Sequence, residues 1–269
     1  LSGIGTVLSG RRGFFNTHRV LPLESYKMKR PTDLTPVDDS LVTIQDEIRS
    51  HFGWQVEEDL SSALNLLDHV ESSHVEQWSR FQRASSVAGI QRRMVLREQE
   101  VAILGAAIEV EELVAVLEEP VLLVAADGAT GVLSLLPETT SERAWSRLAF
   151  LVSDADGGDG TISAVKRGIP VFLHAHGDNV DDWKALLSVA ADSATPPALV
   201  LTHQTPGEIE GIHNPGGFTD GDRAACILTA LGVSNNRINM LGTRADVVGR
   251  WSGKTQEKMK IEKLQWMRR

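Results

Sequence analysis

The sequence carries one cysteine, Cys226, in 269 residues. A lone thiol excludes an intramolecular disulfide framework and fits a reducing compartment. Cys226 lies within an apolar-periodic segment, where a free cysteine reads as a small buried side chain rather than a nucleophile. Excess positive charge is also missing: the net charge is −9, whereas a general nucleic-acid binder shows a basic footprint. No apolar run approaches the ~18 residues of a membrane span. There is no internal repeat and no low-complexity segment. What remains is an ordinary globular composition, 42% apolar and 23% charged. These features predict a cytoplasmic protein with small-molecule partners, no nucleic acid and no membrane. The length allows one large domain or one domain with a small appendage, and homo-oligomerisation is left open.

Residues 1–39 start without Met and combine basic residues (Arg11, Arg12, Arg19, Lys27, Lys29, Arg30) with scattered Gly and Pro. They read as a disordered tail, or as sequence upstream of a true start at Met28. Residues 40–98 read as helical. Ser40 caps a first helix through His51, with Leu41, Ile44 and Ile48 on one face and Gly53 as its stop. A second helix over Glu57–Ser72 aligns Leu60, Leu64 and Leu67, with Ala63 beside them. A third, over Val75–Met94, is more polar. Trp54, Trp78 and Phe81 are assigned to packing.

From residue 99 the pattern changes. Short apolar runs at Val101–Leu104, Val121–Ala125, Leu148–Val152, Pro170–Leu173, Leu199–Leu201 and Ile238–Leu241 alternate with helical segments. Those segments are Glu109–Glu118, Ala129–Leu136, Ile162–Arg167, Asp181–Ala191 and Asp220–Leu231, and Gln256–Arg269 reads as a basic closing helix. Strands alternating with helices imply βαβ units, hence a mostly parallel α/β sheet with helices on both faces. The helices before it form an N-terminal helical cap, and residues 99–269 form the α/β domain.

The polar clusters fall where those strands end. Asp127-Gly128 follows the second strand, Ser153-Asp154-Ala155-Asp156-Gly157 the third, and His174-Ala175-His176-Gly177-Asp178-Asn179 the fourth. Thr202-His203-Gln204-Thr205 ends the fifth, and Gly216-Gly217-Phe218-Thr219-Asp220-Gly221-Asp222-Arg223 opens the helix beyond it. Ligands of open α/β sheets bind beyond the carboxyl ends of the strands. Carboxylates crowded there repel one another unless a cation sits among them, and oxygen-rich sets of this kind suit Mg²⁺. Asp154 and Asp156 are the leading metal ligands, with Asp178, Asp220 and Asp222 completing the acidic edge. Asp220 and Asp222 would serve equally well as first-turn acids of a helix. Arg223 is the cationic clamp. Asp127, Gly128, His176, Asn179, Gln204, Gly216, Gly217 and Thr219 are candidates for nucleotide or substrate contacts.

Bland and rival readings run beside these. Asp154 to Ile162 superficially resembles a calcium loop, but the sixth position is Asp159 instead of Gly and the twelfth is Val165 instead of Glu. Two histidines at strand spacing, His174 and His176, point to opposite faces, so one belongs to the core and the other to the crevice. An Asp-x-Asp at a strand end also occurs in phosphatases of the haloacid-dehalogenase type, in which the first Asp is a nucleophile. Here Gly158 replaces the Thr of that motif.

In order and spacing, Ala126-Asp127-Gly128-Ala129-Thr130, Ser153–Gly157, His174–Asn179 and Gly216–Ala224 resemble the archaeal 6-hydroxymethylpterin pyrophosphokinase family. Its core is similar to the catalytic domain of thiamine pyrophosphokinases. The resemblance runs from about Leu41 to the C-terminus. It implies a Rossmann-like domain that transfers diphosphate from ATP to 6-hydroxymethyl-7,8-dihydropterin with Mg²⁺, releasing AMP, in tetrahydromethanopterin or folate biosynthesis. Two stretches depart from the family. Gly105-Ala106-Ala107-Ile108-Glu109-Val110 replaces Gly-Ala-Gly-Pro-Ser-Leu, losing a glycine, the proline and the serine and gaining a carboxylate. Gly242-Thr243-Arg244-Ala245-Asp246 replaces Gly-Met-Asp-Phe-Gly. A nucleotide-sugar-dependent glycosyltransferase related to flagellin-modifying proteins and an inactive nucleotide-binding regulator are the alternatives.

Overall fold

The computed structural model describes residues 32–253 and 256–267. The reading of residues 1–39 as tail or upstream sequence, with a start at Met28, falls mostly outside these. Six parallel strands form one sheet in the order β5-β4-β3-β2-β1-β6. They are β1 (Glu100–Leu104), β2 (Val121–Ala126), β3 (Leu148–Ser153), β4 (Val171–Ala175), β5 (Leu199–His203) and β6 (Ile238–Leu241). The first five are buried throughout or nearly so, as strands covered on both faces must be. β6 at the edge is only half-covered.

From β1 to β5 the chain always steps the same way across the sheet. Right-handed crossovers therefore place the connecting helices on one face. Those helices are α4 (Val110–Leu117), α5 (Glu138–Arg147), α6 (Gly158–Lys166) and α7 (Val180–Ala191). They contribute Leu113, Leu117, Trp145, Val165 and Trp183 to one core layer, against Ala102, Leu104, Leu151 and Leu173 of the strands. The return from β5 to β6 runs the other way, and α8 (Asp220–Ala230) accordingly covers the opposite face. There Ile227 and Leu228 meet Val101, Ile103, Phe150, Phe172 and Val200. The chain reverses direction across the sheet between β1 and β6.

The N-terminal helices are α1 (Ser40–Phe52), α2 (Val56–Glu71) and α3 (Arg80–Leu96). They clasp the β5 side of the sheet: α2 joins the first core layer through Ala63, Leu66 and Val70, and α3 the second through Val87, Ile90 and Met94. Between them Trp78 is buried and its Nε1 donates to Pro197 O at 2.9 Å.

Several expectations are corrected. The helix expected over Val75–Met94 breaks at Ser79, whose hydroxyl caps α3 by accepting from Gln82 N. Leu60 and Leu64 are 40% and 48% exposed, and the buried face of α2 is Asp59, Ser62, Ala63, Leu66 and Val70. Phe81 is 77% exposed and packs no core. The helix expected over Ala129–Leu136 is a 3₁₀ segment over Asp127–Leu135. Its Gly128 lies so close to Gly157 that a Cβ would sit 2.7 Å from Gly157 O. This tight approach joins the loops after β2 and β3. α5 has no counterpart in the expected helices, because only Ala144 and Trp145 of its ten residues are buried. The closing helix α9 spans Glu257–Trp266.

Candidate active site

Parallel strands end on one edge, so the loops after β2, β3 and β4 meet there. Asp127, Asp154 and Asp156 converge, each offering a carboxylate oxygen within 4.8 Å of the others. Asp127 adopts φ 46° and Ala155 φ 80°. Left-handed backbone at a non-glycine residue costs about 1–3 kcal/mol and persists only where the surroundings enforce it. Here the surroundings are visible: Ser153 Oγ donates to Asp127 Oδ1, and Thr161 Oγ1 donates to the same oxygen at 3.1 Å. Ser153 Oγ also accepts from Ala155 N at 2.9 Å.

Asp154 is held from the other side. His176 Nε2 lies 3.3 Å from its Oδ2, and His176 Nδ1 lies 2.7 Å from Asp178 Oδ1. Burial opposes charge on this imidazole, but the hydrogen bonds to Asp154 and Asp178 prevail and raise its pKa to about 9. It is therefore an imidazolium at neutral pH. Burial would raise Asp154, yet the His176 bond and charge outweigh it and hold the carboxyl below its usual range. Asn179 completes the brace by donating to Asp154 O and His174 O, each at 2.8 Å, while its Oδ1 accepts from His176 N.

The other carboxyls are pushed upward. Burial, then Asp154 and Asp220, lift Asp127 well above the carboxylate range. Asp156 is raised by burial and Asp154. Asp220, raised by burial and Asp154 against the pull of Arg223, reaches about 7. One carboxylate is fixed as an anion and its neighbours titrate high, a conflict that a bound dication reverses. The residues fit such an ion: every donor is a carboxylate oxygen, as a hard cation requires, and Asp154 Oδ1 is buried with no hydrogen-bond partner among the described residues.

The remaining expected residues divide. Asp220 belongs to the acidic edge, with Arg223 Nη1 donating to its Oδ1 at 2.8 Å. Arg223 is 2% exposed and also donates to Phe218 O, so it stands behind Asp220 and tunes it. Asp222 turns away: Thr219 and Asp222 form a capping box on α8, and Asp222 accepts from Phe218 N at 2.8 Å and Thr219 N at 2.6 Å. Gly216 and Gly217 form a positive-φ turn tied to α1, where Gly217 O accepts from Gln45 Nε2 at 2.9 Å. Gln204 lies in a buried network. Its Nε2 donates to Asp59 Oδ2, and its carbonyl accepts from Arg49 Nη1. Asp59 in turn pairs with Arg49 and accepts from Gly177 N at 2.8 Å. His174 is the core histidine, bonded to Thr202 and Gln204, and burial holds its pKa well below the usual value.

Next to the acidic edge, beyond the ends of β1 and β6, lies a small cleft with an enclosed volume of ≈ 50 Å³. Gly105–Ala107, Asp127, Thr219, Asp220, Thr243, Trp251, Ser252 and Lys260 are among its lining residues. Hydrogen bonds from Gly105 N to Leu241 O, Ala107 N to Gly242 O and Trp251 N to Ala106 O knit its wall. The carboxylate gained in the Gly105–Val110 loop, Glu109, does not enter the cleft. It is exposed and forms a capping box with Glu112 on α4.

Fold and site together define a Rossmann-like α/β protein whose strand-end edge sets three converging carboxylates beside a cleft. Two curated archaeal relatives share the sequence at a specific level, and both are named 6-hydroxymethyl-7,8-dihydropterin pyrophosphokinase. The protein from Methanothermobacter thermautotrophicus is 34% identical over 141 residues, covering 51% of this chain and 52% of that protein. The one from Pyrococcus furiosus is 32% identical over 133 residues, covering 48% of each. The chain thus spans about half the length of the curated relatives it matches. No family model matches the chain. The resemblance drawn from the motifs and these relatives agree. Among the described residues, no helix is long and apolar enough to cross a membrane.

Proposed function

We propose that this chain transfers diphosphate from ATP to 6-hydroxymethyl-7,8-dihydropterin and releases AMP, serving the synthesis of a reduced pterin cofactor. The names of both relatives support the reaction. The observation that carries it is the convergence of Asp127, Asp154 and Asp156, with Asp154 Oδ1 buried and unpartnered among the described residues. Asp127, Asp154 and Asp156 would hold Mg²⁺, with Asp220 beside them. When bound, the ion neutralises charge that spreads over the phosphoryl oxygens during transfer.

The chain's own residues do the positioning. His176 keeps Asp154 ionised and fixes its direction, and Asn179 locks the backbone beneath it. Ser153 and Thr161 hold Asp127 inward. Arg223 orients Asp220. The hydroxymethyl oxygen of the acceptor attacks the β-phosphorus, its proton passing to the acidic edge, and the bond between the α- and β-phosphates breaks. Pre-organised positioning of this kind is the main source of rate in phosphoryl transfer.

Incubation with ATP, Mg²⁺ and the reduced hydroxymethylpterin, followed by chromatography, tests this. AMP and a diphosphorylated pterin should appear in step, with little ATP consumed without the acceptor. Formation of ADP and inorganic phosphate, or transfer of γ-label to the protein, contradicts it.

A further inference from the structure

We propose that the cleft beside the acidic edge is the subsite for the nucleotide's phosphate chain, with Lys260 of α9 as its cationic anchor and the Thr243 and Ser252 hydroxyls as its buried donors. This rests on the nucleotide co-substrate of the preceding section. It assigns a part of the site that the acidic motifs do not reach.

Three observations converge on the cleft. First, it opens between the ends of β1 and β6, where the chain reverses direction across the sheet and the loops diverge; open α/β sheets take ligands at such a point. Second, Thr243 Oγ1 and Ser252 Oγ are buried without a hydrogen-bond partner among the described residues, and both residues line the cleft. Hydroxyls donate as well as accept, and a buried polar group left unpaired points to a missing partner. Gly253 presses its backbone on Asp156, so that a Cβ would lie 2.4 Å from Oδ1. The segment carrying Ser252 is thereby packed directly on the acidic cluster.

Third, the cations of the cleft differ. Arg244 lines it too but is spent on Asp246, with a bidentate pair at 2.8 and 2.7 Å. Lys260 is half-buried and makes no ion pair within 4 Å among the described residues, yet it lines the cleft together with Asp127 and Asp220. A lysine that shares a cleft wall with carboxylates but pairs with none is placed for an anion lying between it and a cation. A phosphate chain spanning the acidic edge and Lys260 would meet positive charge at both ends and hydroxyl donors along its length. The simpler role, in which Lys260 only offsets acidic charge, makes a different prediction, because its loss would then affect all ligands alike.

Calorimetric titration with ATP and with adenosine, in Mg²⁺ and without acceptor, separates the two. Lys260→Met should weaken ATP about tenfold or more, the range of a charge-assisted hydrogen bond, and leave adenosine affinity within about twofold. Lys260→Arg should retain ATP binding within about threefold, since a phosphate accepts either cation. The Thr243→Val/Ser252→Ala pair leaves Lys260 in place and should also weaken ATP selectively. It therefore decides the matter even if Lys260→Met does not fold. Lys258→Met, altering an exposed lysine of α9, should behave as the wild type. Unchanged ATP affinity in the Lys260→Met and double variants, or equal losses for ATP and adenosine, overturns the proposal. The underlying reading fails separately: selective ATP binding by the wild type without AMP formation refutes the pterin reaction and leaves the subsite standing.

Discussion

The two halves of the strand-end edge are built differently. On the β2–β4 side the acidic groups are wired: Asp127 takes two hydroxyl donors, Asp154 takes His176, and Asn179 spends its amide on the loop that carries them. On the β1–β6 side the wall is mostly backbone, and the Thr243 and Ser252 hydroxyls and the Lys260 ammonium are left without partners among the described residues. A site that must concentrate like charge has to be braced in advance, because repulsion would otherwise spread it. A site that receives a ligand leaves its donors for that ligand.

The largest effect that would sharpen this contrast comes from the wired half. Asp156→Asn keeps shape and removes a ligand charge, so kcat should fall by roughly 10²–10³, with the circular dichroism spectrum unchanged. Retention of most activity at saturating Mg²⁺ would reduce Asp156 to a turn residue.

Next comes the brace from the helical cap. Asp59→Ala leaves Arg49 and Gln204 short of a buried partner and should cost about 3 kcal/mol in urea unfolding. Arg49 keeps Asp46 and the Gln204 carbonyl, which limits the loss. A change below about 0.5 kcal/mol would show that the cap does not brace the β4 loop.

Acid should loosen the fold near the end of β5. Burial lowers His203 and His213 to about 4 from the ordinary 6.5. Both stay neutral in the fold, while the unfolded chain takes up protons below pH 6.5. Stability should therefore fall as the pH drops from 6.5 through about 4, by up to roughly 1.4 kcal/mol per pH unit for each histidine. His203→Gln should flatten that slope in a series of urea melts. An unaltered slope would place the acid sensitivity elsewhere.

The smallest effect concerns the altered Gly105–Val110 loop. Glu109→Ala should lose about 0.5–1 kcal/mol of helix capping and leave ATP affinity unchanged. A drop in affinity would put Glu109 in the cleft.

These contrasts also mark what was legible in the sequence. The six strands were, because covered strands are short apolar runs bounded by turns, and the carboxylates immediately after them inherit their edge. Asp220 and Asp222 were not separable: both are first-turn acids, but two residues on a helix lie about 200° apart, so one faces the cluster and the other the cap. The buried face of α2 was hidden because Asp59 and Ser62 are buried through polar partners in other elements, which hydropathy does not register. Lys260 sits in a basic helix and reads as a solvated face. Only the fold brings it against Asp127, Asp220 and Ser252.

The division of labour between the two halves is tested most directly by Mn²⁺ binding, followed by electron paramagnetic resonance with Mg²⁺ as competitor and no nucleotide present. Wild type and Lys260→Met should bind the ion alike, and Asp156→Asn should bind it at least about tenfold more weakly. Equal binding by Asp156→Asn and wild type, or a loss in Lys260→Met as large as that in Asp156→Asn, would contradict the account.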